Sequence, residues 1–187
     1  MEPESKPTFR LLVGLGNPGR EYEKTRHNVG FMILDRLASR DGAGFSFQKN
    51  WRAEIATHGC TIYCKPQSFM NLSGEPLAAV SRFYKIPANE ILVVLDDAAL
   101  PLGRLRIRPG GSTGGHNGLK SIVEQIGDVP RLRVGIGAAS GCEMTGHVLG
   151  RFTAKEMPVL EESLGRAVEA IDFVRENGIE AAMNKFN

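Results

Sequence analysis

The stretch GLGNPGREYEKTRHNVG, residues 14–30, follows the apolar run FRLLVGL (9–15) and decides how the rest of the chain is read. Its first six residues fit G-x-G-x-x-G, the glycine pattern of dinucleotide-binding loops. Such a loop works where a helix starts at the glycines, so that free backbone N–H groups face a pyrophosphate. Here Pro18 stands between the second and third glycines and brings no N–H. The helical pattern begins only near Asn28, after the polar segment REYEKTRH. About 20 residues on, where a second strand should end in an acidic ribose binder, the pattern is helical and Asp35 lies on its polar side. The nucleotide-cofactor reading therefore fails. What remains is a buried strand ending in a sharp turn that presents Asn17, followed by Thr25-Arg26-His27-Asn28 at a helix start.

Outward from that stretch, strands and helices alternate. NVGFMILDRLASR (28–40) spaces Val29, Met32, Ile33 and Leu37 as a helix does. RAEIATH and CTIYCKP, joined at Gly59, read as a hairpin, and NLSGEPLAAVSRFYK as a helix. ILVVLD (91–96) is a second fully buried strand, and RLRIR (104–108) alternates apolar and basic residues, as a strand with one wet face does. PGGSTGGHNG leads into the helix LKSIVEQI, and RLRVGIG (131–137) is a further strand. From Ala154 to Asn177 the residues Val159, Leu160, Leu164, Val168, Ile171 and Val174 form one helical stripe. No repeat, linker or composition break interrupts this order. The expectation is one α/β domain over residues 1–187, a mixed sheet with helices around it, with residues 1–8 flexible.

The 187 residues suffice for one well-buried core. At 42% hydrophobic and 24% charged, the composition is that of an ordinary globular protein. No apolar run approaches the ~20 residues that span a bilayer, and MEPESKPTFR lacks a signal-peptide core, so the expected location is the cytoplasm. Cys60 and Cys64, read as sharing a strand, would sit roughly 13 Å apart, too far to bridge. With Cys142 they are expected to be plain thiols. The net charge of +2 is uninformative, but its distribution is not. Between Pro101 and Gly135, six basic residues (Arg104, Arg106, Arg108, Lys120, Arg131, Arg133) face two acidic ones, Glu124 and Asp128. This is either one anionic contact region or a solvated charged face.

In open α/β sheets, ligands bind outside the carboxyl ends of the strands. Asn17 and Asp96 lie at such ends, Asn71 follows CTIYCKP, and His27 and His116-Asn117 stand at helix starts. A carboxylate can fix an imidazole's tautomer and steady the imidazolium while the free nitrogen takes a proton from water. Asparagine amides suit a peptide backbone and a developing oxyanion. No H-E-x-x-H zinc motif or P-loop is present, so these parts point to water attack on an activated acyl group. Each residue also has a plainer reading. His27 would bond backbone at a helix start, and Asp96 would cap the turn DDAALP. Asn17 would serve its turn, Asn71 would be an N-cap, and the glycines of PGGSTGGHNG would serve only a turn. His58 and His147 are read as structural.

Taken together, VGLGNPGREYEKTRHNVGF, KPQSFMNLSGEPL, ILVVLDDAALPLGRLRIR, GGSTGGHNGLKSI, RLRVGIG and HVLGRF resemble the bacterial-type peptidyl-tRNA hydrolase family, in the family's order and over nearly the whole chain. The resemblance implies a monomer that hydrolyses the ester joining a peptide to the terminal ribose of tRNA, recycling tRNA without cofactor or metal. By motif position, His27 corresponds to the catalytic base and Asp96 to its partner carboxylate. Asn17, Asn71 and Asn117 correspond to asparagines lining the peptide and ester site, and Tyr22, Phe69, Met70 and His116 to the cleft lining. Arg106, Arg108, Lys120 and Arg133 match basic positions suited to tRNA phosphates. GAASGCEMTG with HVLGRF is expected as a lid. The chain departs from the family's D-[DE]-x-D-L-P pattern at Ala99, and GDVPRLR is shorter than in some relatives. Two alternatives stand beside the hydrolase: a catalytically silent RNA-binding relative acting as a splicing or interaction partner, and, more remotely, a nucleotide-cofactor enzyme.

Overall fold

The computed structural model describes residues 9–140 and 143–187, so residues 1–8, Gly141 and Cys142, the last two within the expected lid segment, lie outside the described residues. The strands in chain order are β1 (Leu11–Gly14), β2 (Ser46–Gln48), β3 (Ala53–His58), β4 (Thr61–Pro66), β5 (Ile91–Asp97), β6 (Leu105–Arg108) and β7 (Arg131–Gly135). They form one sheet in the order β2-β3-β4-β1-β5-β7-β6. β1 runs parallel to both β4 and β5, and β5 is parallel to β7. The β2–β3, β3–β4 and β6–β7 pairs are antiparallel, so the sheet is mixed, as expected. The predicted hairpin turns through Gly59 at φ 56°. Cys60 sits in that turn rather than on the strand; it is exposed, whereas Cys64 is buried, and burial pushes its thiol up to about 12.

Among the described residues six helices flank the sheet: α1 (Val29–Arg40), α2 (Gly74–Tyr84), α3 (Asn117–Ile126), α4 (Met144–Val148), α5 (Met157–Asn177) and α6 (Ile179–Phe186). The period-2 alternation of the buried strands divides the core between two faces. Leu12, Leu92 and Val94 pack with Ile33 and Leu37 of α1 and Leu164, Val168 and Ile171 of α5. Leu11, Val13, Val93 and Leu95 pack with Leu77 and Val80 of α2 and Leu119 and Ile122 of α3. Each such fully buried aliphatic side chain contributes roughly 1.5–3 kcal/mol relative to exposure.

Three sequence expectations shift. The helix expected from Asn71 begins only at Gly74, after a 3-10 turn over Met70–Leu72. The C-terminal stripe starts at Met157, breaks at Gly178 and continues as α6, and Val159 points outward at 41% exposure. Only Phe47 in three residues of β2 offers a strong apolar cue, and its side chain is exposed. That edge strand accordingly left no period-2 signal.

The glycines of residues 14–30 serve packing, not phosphate. A Cβ on Gly14 would collide with the Gly30 carbonyl, and one on Gly30 would lie 2.5 Å from both Leu15 N and the Val94 carbonyl oxygen. α1 thus meets β1 and β5 backbone to backbone. A Cβ on Gly16 would come within 2.7 Å of the Phe31 ring, and Gly19 turns the chain at φ 111°.

Candidate active site

The junctions following β1, β4 and β5 and the start of α3 bring their polar residues to the same end of the sheet. Asn17 follows β1, and His27 lies in a 3-10 turn over Arg26–Asn28 that leads into α1. Phe69, Met70 and Asn71 follow β4, Asp96 is the penultimate residue of β5, and His116 and Asn117 begin α3. All of them line one cavity of about 490 Å³, walled on its outer side by Met144, Thr145, Val148 and Leu149.

At its floor, Asp96 is 3% exposed and is shared by two histidines. His27 Nδ1 lies 2.9 Å from Oδ2, and His116 Nε2 lies 2.8 Å from Oδ1. Burial pushes the Asp96 carboxyl up, but the charge and hydrogen bond of His116 and then those of His27 outweigh it and hold it at about 2. An ionised carboxylate only accepts, so both ring nitrogens facing it are N–H donors. His116 fits this assignment, because its Nδ1 accepts the Leu119 N–H at 3.3 Å and caps α3. In neutral His27 the lone pair then resides on Nε2, which makes no hydrogen bond among the described residues. His27 therefore does not bond backbone as in its plainer reading. Neither does Asp96 cap the DDAALP turn; Asp97 does that, its Oδ1 accepting the Ala99 N–H at 2.8 Å.

Asn17 is held by three hydrogen bonds. Its N–H donates to Asn28 Oδ1 at 2.9 Å, and its carbonyl accepts from Asn28 Nδ2 at 2.9 Å. Its Oδ1 accepts the Met70 N–H at 2.8 Å, which fixes the amide; Nδ2 has no hydrogen-bond partner among the described residues, and Asn17 lines the cavity. Asn28, 1% exposed, has a wholly internal task that sequence pattern alone does not mark. Asn71 forms no helix cap, since Ser73 is the residue preceding α2; Asn71 and Asn117 are exposed on the cavity rim. Gly114 and Gly115, at φ 61° and 77°, form both the turn and part of the lining.

The chain matches the family model described as peptidyl-tRNA hydrolase over residues 11–187. It belongs to the peptidyl-tRNA hydrolase family. It is 48% identical to a peptidyl-tRNA hydrolase of Caldanaerobacter subterraneus subsp. tengcongensis, over 95% of this chain and 98% of that protein. A second, from Synechococcus sp. (strain JA-3-3Ab), is 45% identical over 100% of this chain and 86% of its own length. The crystal structure of peptidyl-tRNA hydrolase from Acinetobacter baumannii superposes with a TM-score of 0.91 at 33% identity, covering 99% of this chain and 97% of that one. These matches do not support a silent RNA-binding relative.

Other residues expected of a peptidyl-tRNA hydrolase are placed less uniformly. Tyr22 does not line the cavity; it is half-buried, and its carbonyl accepts from Thr25 Oγ1 at 2.8 Å. Arg108 and Lys120 are exposed and Arg106 is half-buried. Arg133 is engaged by Asp97 and by the Ser112 carbonyl, which leaves it less free than its sequence position implies. Arg131, counted in the basic stretch, is 0% exposed and tied to Asp128 and to the carbonyls of Gly111, Ser112 and Val129. It is therefore a scaffold residue. No helix among the described residues is long and apolar enough to cross a membrane.

His27, Asp96 and His116 bring potential metal-ligand atoms within 4.8 Å of one another. The hydrogen bonds do not fit that use. The nitrogens facing Asp96 carry protons, and moving the His116 proton to Nδ1 would set it against the Leu119 N–H.

Proposed function

We propose that this chain hydrolyses the ester between a peptide and the terminal ribose of tRNA, with His27 as general base. The carrying observation is the His27–Asp96 pair at 2.9 Å, oriented so that Nε2 faces the cavity side. Nε2 takes a proton from water as the water oxygen attacks the ester carbonyl carbon. Asp96 steadies the imidazolium. The Asn17 Nδ2 group donates to the carbonyl oxygen as it gains negative charge. Collapse breaks the bond to the ribose oxygen, which recovers the proton from His27; the products are a free peptide acid and tRNA. An ester needs no further activation than this.

Asn71 and Asn117 on the rim, with Phe69, Met70 and His116, form the surface for the peptide. A peptide's first amide satisfies such donors and acceptors, whereas an unblocked amino acid leaves them unpaired. Arg106, Arg108, Lys120 and Arg133 are assigned to tRNA phosphates, with Arg108 and Lys120 the freest. The family resemblance is the ground for taking the chain as a monomer. The substrate, a product of translation, supports a cytoplasmic location. The test is release of the acyl group from N-acetylated aminoacyl-tRNA and from the unblocked form, each with and without EDTA. Rapid, chelator-insensitive release from the blocked substrate alone is the expected result. Equal release from both would remove the peptide-amide account, and loss with EDTA would remove the metal-free one.

A further inference from the structure

Arg26 directly precedes His27, is only 9% exposed, and has no task in the reaction above. Its Nη2 donates to Glu156 Oε2 at 3.0 Å and its Nη1 to the His147 carbonyl at 3.4 Å. Its guanidinium carbon lies 5.4 Å from the centre of the Phe152 ring. Backbone contacts run beside it: the Arg26 N–H donates to the Gly150 carbonyl at 2.9 Å, and Thr25 forms an antiparallel bridge with Arg151. A Cβ on Gly150 would lie 2.8 Å from Arg26 Nη1, so the glycine makes room for the guanidinium. Glu156 is itself fixed, accepting the Thr153 N–H at 2.7 Å while its own N–H reaches Thr153 Oγ1 at 3.3 Å.

The segment held in this way is the outer wall of the cavity. α4 supplies Met144, Thr145 and Val148, and Leu149 follows it, yet none of the helix's five residues is buried. Val148 and Phe152 are only partly buried against the core. Apolar burial therefore does little to fix the wall, and polar ties at its two sides hold it. One is the His147 ring, whose Nε2 lies 2.8 Å from the Gly137 carbonyl oxygen. The other is Arg26. A guanidinium suits the place because its fork serves two acceptors at once, which an ammonium cannot do in one geometry.

We propose that Arg26 is a positioning residue that pins the 144–156 segment to the turn carrying His27 and so sets the width of the substrate cavity. The proposal rests on the hydrolase reading for its kinetic consequence, but not for its structural one. Without the guanidinium only the backbone contacts to Gly150 and Arg151 and the His147 tie remain, and the wall loosens. Substrate binding then weakens, while the His27–Asp96 pair, held from the other side, keeps its geometry.

The experiment compares wild type with Arg26→Met, Arg26→Lys and Glu156→Gln, using N-acetylated aminoacyl-tRNA as substrate and amide hydrogen exchange across residues 143–151. Arg26→Met should raise KM about tenfold with kcat within about twofold, and Arg26→Lys should recover part of the loss. The amides of His147, Leu149 and Gly150 should exchange faster. Thermal unfolding measured alongside separates this from general destabilisation, which would not split KM from kcat at temperatures far below melting. Unchanged KM, or losses in kcat and KM that track the folded fraction, would overturn the proposal. Absence of turnover in wild type would count against the hydrolase reading; unchanged exchange at 147–150 would still overturn the positioning. If Arg26→Met fails to fold, Glu156→Gln carries the same readouts, with a smaller KM rise expected and none contradicting the proposal.

Discussion

Asn28 acts toward Asn17 as a second backbone strand would, accepting its N–H and donating to its carbonyl, both at 2.9 Å. This pair of hydrogen bonds aims the residue assigned to the oxyanion, although Asn28 itself does not line the cavity. Asn28→Ala would leave two buried backbone groups unpaired, each costing about 1–3 kcal/mol. The expected result is a loss of several kcal/mol in urea unfolding, together with a lower kcat. Asn28→Asp keeps the acceptor and loses the donor, and should fall between. Stability equal to wild type in Asn28→Ala would contradict the clamp.

Asp96 serves two ring N–H donors, and only an ionised carboxylate can accept both. Asp96→Asn presents an NH2 group to one of them. Its kcat should fall by roughly 10²–10⁴-fold, as for loss of a general base's orienting partner. The same carboxyl gives a pH signature. Its folded pKa, about 2, lies below the usual carboxylate value, so the folded protein holds this proton less tightly than the unfolded chain does. The resulting stabilisation, on the order of 2 kcal/mol, is fully present above about pH 4 and lost as pH falls toward 2. Unfolding free energies measured down that range should drop less in Asp96→Asn than in wild type. Parallel curves would contradict the assignment.

Gly30 lets α1 touch the backbone of β1 and β5. Gly30→Ala should cost at least the 1–3 kcal/mol typical of overpacking, because the obstructing atoms are main chain. Gly165, on the exposed side of α5 with open space around it, is the control. Gly165→Ala should be neutral or stabilise by up to about 1 kcal/mol. Calorimetric melting of both variants checks the contrast; similar behaviour of the two would remove the close-contact account of the glycine loop.

Arg108 is exposed and has no side-chain partner among the described residues, whereas Arg131 is consumed inside the fold, although the sequence places both in one basic stretch. Arg108→Glu should weaken tRNA binding and lower the slope of log affinity against log salt by roughly one or more. Arg131→Met should lower stability, since it abandons Asp128 and three carbonyls, yet leave the salt slope of the folded protein unchanged. Titrations of tRNA at several salt concentrations decide it, and the reverse pattern would contradict the division.

What the sequence made legible follows from where each signal originates. Buried strands such as ILVVLD announce themselves because both faces are covered, and Gly59 marks its turn by needing a positive φ. The motif residues His27, Asp96 and Asn17 stand at element ends, where polar residues are conspicuous. The role of Asn28 leaves no local signal, because its partner is backbone eleven positions away. The outer wall at Met144–Leu149 was expected only by resemblance, since its position depends on Arg26 and Glu156, distant in sequence. Arg131 misled for the complementary reason: charge counted along the chain says nothing of which side of the sheet edge it faces.

The central claim is that His27 takes the proton from the attacking water. Its most direct test is single-turnover release of the acyl group from N-acetylated aminoacyl-tRNA by wild type and His27→Ala, with tRNA affinity and thermal unfolding recorded on the same preparations. The account predicts a rate lower by roughly 10²–10⁴-fold or more in the variant, with affinity and melting close to wild type. Release at the wild-type rate from a folded, tRNA-binding His27→Ala protein would contradict it.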